Sequence, residues 1–121
     1  AKHVITENQR CLDFASALES GDRAALGRLM HESHVSLRDD FEVSVAELDA
    51  MALSCGEASG CVGARLTGAG FGGCCVALVK SAQLEAFLCE TEKSYRARVP
   101  HCTPRLFACR PSAGAEVLKT P

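Results

Sequence analysis

The first forty residues place apolar side chains at the three- and four-residue spacing of amphipathic helices. One stripe predicts a helix over about 4–18 and consists of Val4, Cys11, Leu12, Phe14, Ala15 and Leu18. Ser20-Gly21-Asp22 then predicts a helix end followed by a new N-cap. A second helical stripe carries Leu26, Leu29, Met30, Ser33 and Leu37. This helix is expected to fade at Arg38-Asp39-Asp40, because short acidic side chains favour caps and turns.

A capping box at Ser44-Val-Ala-Glu47 predicts the start of a third helix, with Leu48, Met51, Ala52 and Cys55 on one face. The small residues at 56–60 predict a turn, after which the period changes from helical to alternating. This change predicts strands at 62–67 and 74–79, joined by a glycine-rich loop. A helix is expected from Ser81, then a strand at 105–110 and a short one at 115–118.

The order of these elements predicts one α+β domain over residues 1–121. Three helices come first, followed by a mostly antiparallel sheet with a helix packed on it. A chain of 121 residues can bury a core, and 47% hydrophobic with 23% charged residues is ordinary for a globular protein. The chain begins at Ala1 without an initiator methionine, from which we expect either a fragment or a processed chain.

Charge and hydropathy argue against several classes of partner. The net charge is −2 at pH 7, whereas proteins that bind nucleic acid or anionic membranes favour a basic surface. No apolar run approaches the roughly 20 residues of a membrane span, and no signal-like segment begins the chain. We therefore expect neither nucleic acid nor a membrane as a partner.

The eight cysteines leave two interpretations open. Four disulfides would suit a small secreted protein. However, Cys11 and Cys89 fall on predicted apolar helix faces, and Cys109 and the Cys74-Cys75 pair fall within strand-like runs. Free cysteine is among the most buried residue types, so reduced core thiols in a cytoplasmic protein are favoured.

The loop between the two predicted strands contains the letters of a dinucleotide fingerprint. Gly68, Gly70 and Gly73 spell GxGxxG. A Rossmann site needs a helix after these glycines, whereas the β-type run 74–79 follows here. A Walker A loop would end in Gly-Lys-Ser/Thr, and a protein kinase would need HRD and DFG motifs; the chain has neither. Two interpretations remain: an anion-binding nest of backbone N–H groups, or a tight bulged hairpin packed against another element.

Two further groups of polar residues could carry chemistry. His31 and His34 lie three apart on one helix, but a metal site needs a third ligand, so a polar helix face is favoured and no metal site is expected. Arg38, Asp39 and Asp40 could lie at an interface or the mouth of a cleft. Together with Glu42 they could supply a general base or magnesium ligands, although capping and local ion pairing explain them as well. Ser33 and Ser36 lack a recognisable Ser-His-Asp arrangement, which argues against a nucleophile.

Taken together, these segments resemble the galactokinases of the GHMP kinase family. The run His31-Glu-Ser-His-Val-Ser-Leu-Arg-Asp-Asp-Phe-Glu-Val-Ser44 with Glu47-Leu-Asp49 resembles a galactokinase signature, preceded by His3-Val4, Glu7 and Arg10. The run Gly63-Ala-Arg-Leu-Thr-Gly-Ala-Gly-Phe-Gly-Gly-Cys74 resembles the third conserved GHMP motif. Phe41 departs from the usual tyrosine, Val45-Ala46 departs from a common Cys-Pro, and Ala69 interrupts what is often a triple glycine.

The resemblance implies the ferredoxin-like C-terminal domain of an enzyme that phosphorylates galactose at its C1 hydroxyl with ATP and Mg²⁺. It implies that the cleft loop consists of Thr67, Gly68, Ala69, Gly70, Phe71, Gly72 and Gly73. The family's catalytic residues belong to its N-terminal half, so no catalytic residue is expected here and the isolated chain is expected to be inactive.

Two further expectations accompany this assignment. An apolar face is expected to be exposed if a partner domain is missing. The alternative function is a non-catalytic ligand-sensing or interaction module with the same fold, and the sequence upstream of Ala1 would distinguish it from the enzyme.

Overall fold

The computed structural model describes residues 1–115 and 117 as four long helices and a two-stranded sheet. In chain order the elements are α1 (Lys2–Ser20), α2 (Arg23–Asp39), α3 (Ala46–Glu57), β1 (Cys61–Thr67), β2 (Cys74–Val79), a 3₁₀ turn (Ser81–Gln83) and α4 (Leu84–Arg98). The predicted α+β class and order of elements are confirmed through α4. None of the helices in the described residues combines the length and apolar character that a membrane crossing needs.

The turn between α1 and α2 follows the predicted chemistry. Gly21 adopts a left-handed conformation with φ 69°, and its amide closes the last turn of α1 on the carbonyl of Leu18. Asp22 then caps α2, where its Oδ1 accepts from the amide of Ala25 at 3.0 Å. Glycine tolerates this conformation because it has no Cβ, and an aspartate cap satisfies an otherwise unpaired amide.

The predicted capping box of α3 is wrong. The helix begins at Ala46, and its N-cap is Val45 without a side-chain cap. The hydroxyl of Ser44 instead donates to Asp49 Oδ1 at 2.7 Å. In a capping box the serine hydroxyl would sit at the N-cap and accept from a backbone amide, but here Val45 is the N-cap residue, so Ser44 lies one position too early to cap the helix.

The sheet is an antiparallel hairpin, which the strand predictions anticipated. Its register pairs Arg65 with Val76 and Thr67 with Cys74, and a bulge lies between Cys61 and Gly63. Successive residues of β2 alternate between exposed and half-buried, as expected for a strand with one covered face.

Helix α2 packs closely against β1 because two glycines meet there. A Cβ on Gly27 would overlap the carbonyl oxygen of Val62, and a Cβ on Gly63 would lie 3.0 Å from both Gly27 Cα and Met30 Sδ. Glycine at both positions therefore lets the helix approach the strand backbone.

The core consists of three clusters that tie the helices to the sheet. The first joins α1 to α2, the second joins β1 to α3, and the third joins α3 to α4. Their buried members are Ala17, Leu26 and Leu29; Val43, Leu48 and Leu66; and Cys55, Ala58 and Phe87. Leu66, which directly precedes the glycine loop, is fully buried, so the loop begins at a well-packed strand end.

The predicted apolar stripe on α1 forms a helix, but apart from Phe14, which packs against the first core cluster, its large side chains do not face the core. The large side chains Val4, Ile5, Leu12 and Leu18 are each more than half exposed, whereas Ala17 is the buried residue of this helix. The expectation that an apolar face would be exposed is confirmed.

The strand predicted at 105–110 is wrong. These residues have no regular secondary structure, and Phe107 is 80% exposed. Alternating apolar residues form a strand only where a neighbouring strand accepts their backbone hydrogen bonds, and none lies beside them within the described part of the chain. The short strand predicted at 115–118 falls partly outside the described residues.

Candidate functional site

The glycine loop forms an open depression between the ends of β1 and β2. A space of about 410 Å³ is lined by Thr67, Gly68, Ala69, Gly70, Gly72, Gly73 and Cys74. The backbone has positive φ at Gly68 (81°), Gly70 (81°), Phe71 (58°), Gly72 (126°) and Gly73 (97°). This near-continuous run explains why the loop needs glycine, since L side chains rarely adopt such angles. Backbone of this kind can turn successive N–H groups toward an anion.

The tip of the loop rests on the segment between α2 and α3. The amide of Phe71 donates to the carbonyl of Val43 at 2.7 Å. A Cβ on Gly70 would overlap that same carbonyl oxygen and would lie 2.8 Å from Val43 Cβ. The hairpin interpretation is therefore supported as well, because the loop is both rich in positive φ and packed against another element. The side chain of Phe71 points outward and is 71% exposed.

His34 is buried and bonded on both ring nitrogens. Its Nδ1 accepts from the amide of Leu66 at 3.1 Å, and its Nε2 lies 2.9 Å from Asp49 Oδ1. His31, one turn earlier, is exposed. The expectation of a polar helix face holds for His31 but is wrong for His34, whose ring fastens α2 to β1 and α3. The described residues contain no group of three or more side chains suited to hold a metal ion.

The charged run at the end of α2 is exposed and locally paired. Arg38 donates two hydrogen bonds to the carboxylate of Asp39, at 2.7 and 2.9 Å. Asp40 accepts from Lys2 Nζ and from Ser36 Oγ, both at 2.9 Å. Hydrogen bonds from Arg38 lower the pKa of Asp39, and those from Lys2 and Ser36 lower the pKa of Asp40. Local ion pairing therefore accounts for these three residues, and Asp40 also ties α2 to the start of α1.

A second polar cluster joins α1, α2 and β1. Glu7 accepts from Arg10 Nε at 2.7 Å and from Ser33 Oγ at 2.5 Å, and Arg65 Nη1 lies 3.3 Å from the Ser33 hydroxyl. Burial alone would raise the pKa of Glu7, but the hydrogen bonds from Ser33 and Arg10 and the charges of Arg10 and Arg65 lower it overall. Sequence reasoning identified Glu7 and Arg10 only through the family resemblance; Arg65, 58 positions along the chain from Glu7, carried no separate signal.

The cysteines are less buried than predicted. All eight are free, but Cys11, Cys74, Cys89 and Cys109 are exposed. The prediction of core thiols is therefore wrong for these four: Cys11, Cys74 and Cys89 lie on the solvent side of a helix or strand, and Cys109 lies in an exposed segment without regular secondary structure. It holds for Cys55, which is buried; burial raises its pKa to about 11. Half-buried Cys75 behaves in the same way, with burial raising its pKa to about 12.

The sequence model described as GHMP kinases C terminal matches residues 14–96. This match spans more than half of the chain, which therefore belongs to the GHMP kinase family. Within that family its similar relatives are galactokinases. The galactokinase of Roseiflexus sp. (strain RS-1) is 46% identical over 114 residues, which are 94% of this chain and 29% of the relative. The galactokinase of Streptococcus thermophilus is 45% identical over 118 residues, which are 98% of this chain and 30% of the relative.

Solved structures agree with this assignment. The crystal structure of Lactococcus lactis galactokinase complexed with galactose superposes with a TM-score of 0.76 at 39% identity, covering 82% of this chain and 26% of that one. L. major mevalonate kinase in complex with R-mevalonate gives a TM-score of 0.60 at 30% identity, covering 76% and 27%. The resemblance to the C-terminal part of galactokinases is confirmed, and the chain spans about 30% of the length of its curated relatives.

Proposed function

We propose that residues 1–121 are the C-terminal domain of a galactokinase that transfers the γ-phosphate of ATP to the C1 hydroxyl of galactose. The reaction would use Mg²⁺ and take place in the cytoplasm. The proposal is supported by the identity to galactokinases along almost the whole chain and by the solved galactokinase bound to galactose.

The loop Thr67–Gly73 is the part of this chain that we assign to the cleft. The observation that carries the assignment is the run of positive φ angles along an open depression. In phosphoryl transfer the transition state carries charge on the transferred group, and positioned backbone donors stabilise it without reorganising. The loop would thus contribute charge stabilisation, while the sugar site, the metal ligands and the catalytic residues would come from the rest of the enzyme.

The loop is rigid enough for such a role because both its base and its tip are held. Leu66, next to Thr67, is fully buried, and Phe71 is bonded to Val43. Preorganised donors are worth more than mobile ones, since no energy is spent on orienting them during the reaction. The segment 36–44, which includes Arg38, Asp39 and Asp40, would lie near the interface with the rest of the enzyme.

The exposed apolar side of α1 supports the proposal that this chain is one part of a larger enzyme. Val4, Ile5, Leu12 and Leu18 form an apolar face on one helix, and such faces mark interaction surfaces. We propose that another part of the kinase covers it.

The test compares the 121-residue chain with the full-length protein from the parent gene. Each is incubated with ATP, Mg²⁺ and galactose, and ¹H–³¹P NMR identifies the phosphorylated hydroxyl. We expect galactose 1-phosphate from the full-length protein and no turnover from the isolated chain. Turnover by the isolated chain would refute the assignment of the catalytic residues to the rest of the enzyme. A full-length protein that binds galactose without phosphorylating it would support the alternative of a ligand-sensing module.

A further inference from the structure

His34 holds the backbone of β1 at the last position before the glycine loop. Its ring is on α2, and its side chain is 6% exposed. Leu66, whose amide donates to His34 Nδ1 at 3.1 Å, is fully buried and directly precedes Thr67. A buried amide without an acceptor destabilises the folded chain, and the imidazole supplies an acceptor for the Leu66 amide.

The same hydrogen bond fixes the protonation of the ring. Nδ1 accepts a hydrogen bond from the Leu66 amide, so Nδ1 itself carries no proton. The ring proton is then on Nε2, which donates to Asp49 Oδ1 at 2.9 Å. The carboxylate partner holds this tautomer and orients the ring, in the way that second partners orient histidines generally.

Asp49 also connects His34 to the support of the loop tip. Its Oδ1 accepts from Ser44 Oγ at 2.7 Å as well as from the imidazole. Ser44 follows Val43, whose carbonyl accepts the amide of Phe71. A continuous path of hydrogen bonds and one peptide unit thus runs from the base of the loop to its tip, with His34 and Asp49 at its centre.

We propose that His34 is a positioning residue of the phosphate-transfer loop, which sets the loop base relative to the tip through Leu66 and Asp49. This inference rests on the proposed function for its effect on catalysis, but not for the hydrogen bonds themselves. It gives His34 a role distinct from metal binding and from direct contact with substrate.

Two substitutions at His34 test the hydrogen bonds of its two ring nitrogens separately. In His34→Asn the side-chain oxygen can replace Nδ1 and keep the bond to Leu66, whereas in His34→Gln the longer amide can replace Nε2 and keep only the bond to Asp49. In the 121-residue chain, long-range ¹H–¹⁵N spectra are expected to show the Nε2–H tautomer of His34. Hydrogen exchange at Leu66 is expected to accelerate about tenfold or more in His34→Gln, which loses the acceptor of this amide, and to stay within about threefold in His34→Asn, which keeps it.

The catalytic measurement uses the full-length kinase and a matched control, Phe87→Leu, which destabilises the third core cluster away from the loop. We expect kcat/KM for ATP to fall about tenfold or more in His34→Gln, to recover largely in His34→Asn, and to stay near the parent value in Phe87→Leu. An Nδ1–H tautomer, or equal exchange rates in the Asn and Gln variants, would overturn the proposal. An unchanged kcat/KM of the full-length kinase in both His34 variants would overturn the proposal as well. A full-length protein without kinase activity would refute the proposed function, while the tautomer and exchange rates would still decide the placement of His34.

Discussion

The amide of Phe71 donates to the carbonyl of Val43 at 2.7 Å, which fastens the tip of the glycine loop to the segment between α2 and α3. Val43 is itself anchored, because its amide donates to the carbonyl of Leu37 at 3.0 Å and its side chain is buried. The loop conformation therefore depends on residues about thirty positions earlier in the chain. Four testable predictions concern this loop, the packing of α2 on β1, the carboxylate of Glu7 and the cysteine thiols.

The first concerns the two loop glycines with the same φ of 81°, Gly68 and Gly70. A Cβ at residue 68 meets nothing within 4 Å, whereas a Cβ at residue 70 overlaps Val43. Gly68→Ala should cost only the left-handed backbone strain, about 1–2 kcal/mol. Gly70→Ala should cost about 1–3 kcal/mol more. Urea unfolding of the chain measures both.

If the loop lines the cleft, substitutions of Gly70 should also reduce activity more than substitutions of Gly68. In the full-length kinase, Gly70→Val is expected to reduce kcat/KM about a hundredfold, because a misplaced positioning group can cost that much. Unchanged kinetics in Gly70→Val would show that the loop has only a structural role.

The second prediction concerns the approach of α2 to β1. Gly27→Ala should destabilise the chain by about 2–3 kcal/mol, since its Cβ overlaps the carbonyl of Val62 and the backbone cannot yield easily. Gly56→Ala in α3 is the matched control, because its Cβ meets nothing within 4 Å. That control should raise stability by roughly 0.5–1 kcal/mol through helix propensity. Equal effects in the two variants would contradict the packing described here.

The third prediction is a pH dependence of stability that comes from Glu7. Its pKa in the folded chain lies below the ordinary value of 4.5. Ionised Glu7 therefore stabilises the fold above about pH 4.5, and this contribution is lost as the pH falls through the folded-state pKa. Glu7→Gln should cost about 1–2 kcal/mol at pH 7, and the difference from the parent chain should shrink toward pH 3.

Denaturant unfolding at several pH values tests this, with Glu19→Gln as the control. Glu19 is on the same helix and is exposed. Its substitution should change stability by less than about 0.5 kcal/mol at every pH. If Glu7→Gln lowers the free energy of unfolding by the same amount from pH 7 to pH 3, the carboxylate charge is not the source of the stabilisation.

The fourth prediction is an order of thiol reactivity. Iodoacetamide at pH 8 should modify the exposed Cys11, Cys74 and Cys89 first. Cys55 and Cys75 should react last, because burial raises their pKa to about 11 and about 12 and leaves little thiolate. Mass spectrometry of peptides over time gives the order, and labelling in urea should make all sites similar. Early modification of Cys55 in the folded chain would contradict its burial.

The glycine loop shows what local sequence could predict. The β-type run after Gly73 was enough to reject a Rossmann site and to predict a hairpin, which the structure confirms. Hairpins are set by residues close in sequence, so their signals are local. The Gly21 helix end was predictable for the same reason.

His34 and Ser44 show where local sequence was insufficient. The partner of His34 is 32 residues away in β1, and periodicity assigns a face to a residue but not a hydrogen-bond partner. Ser44 and Glu47 have the spacing of a capping box, yet the helix has Val45 as its N-cap and the Ser44 hydroxyl donates to Asp49. Both outcomes arise from a polar cluster that exists only once α2, α3 and β1 have packed together.

Helix α2 touches β1 through Gly27 and, seven residues later, through His34. Seven residues make about two turns and about 10 Å of helix, so both contacts lie on the same side. Rotating the helix about its axis would drive residue 27 into Val62 or pull the imidazole from Leu66. These two contacts therefore fix the rotation of α2 about its own axis. Because His34 bonds to Leu66 at the base of the loop, the close packing at Gly27, about two helical turns away, also determines where that base lies.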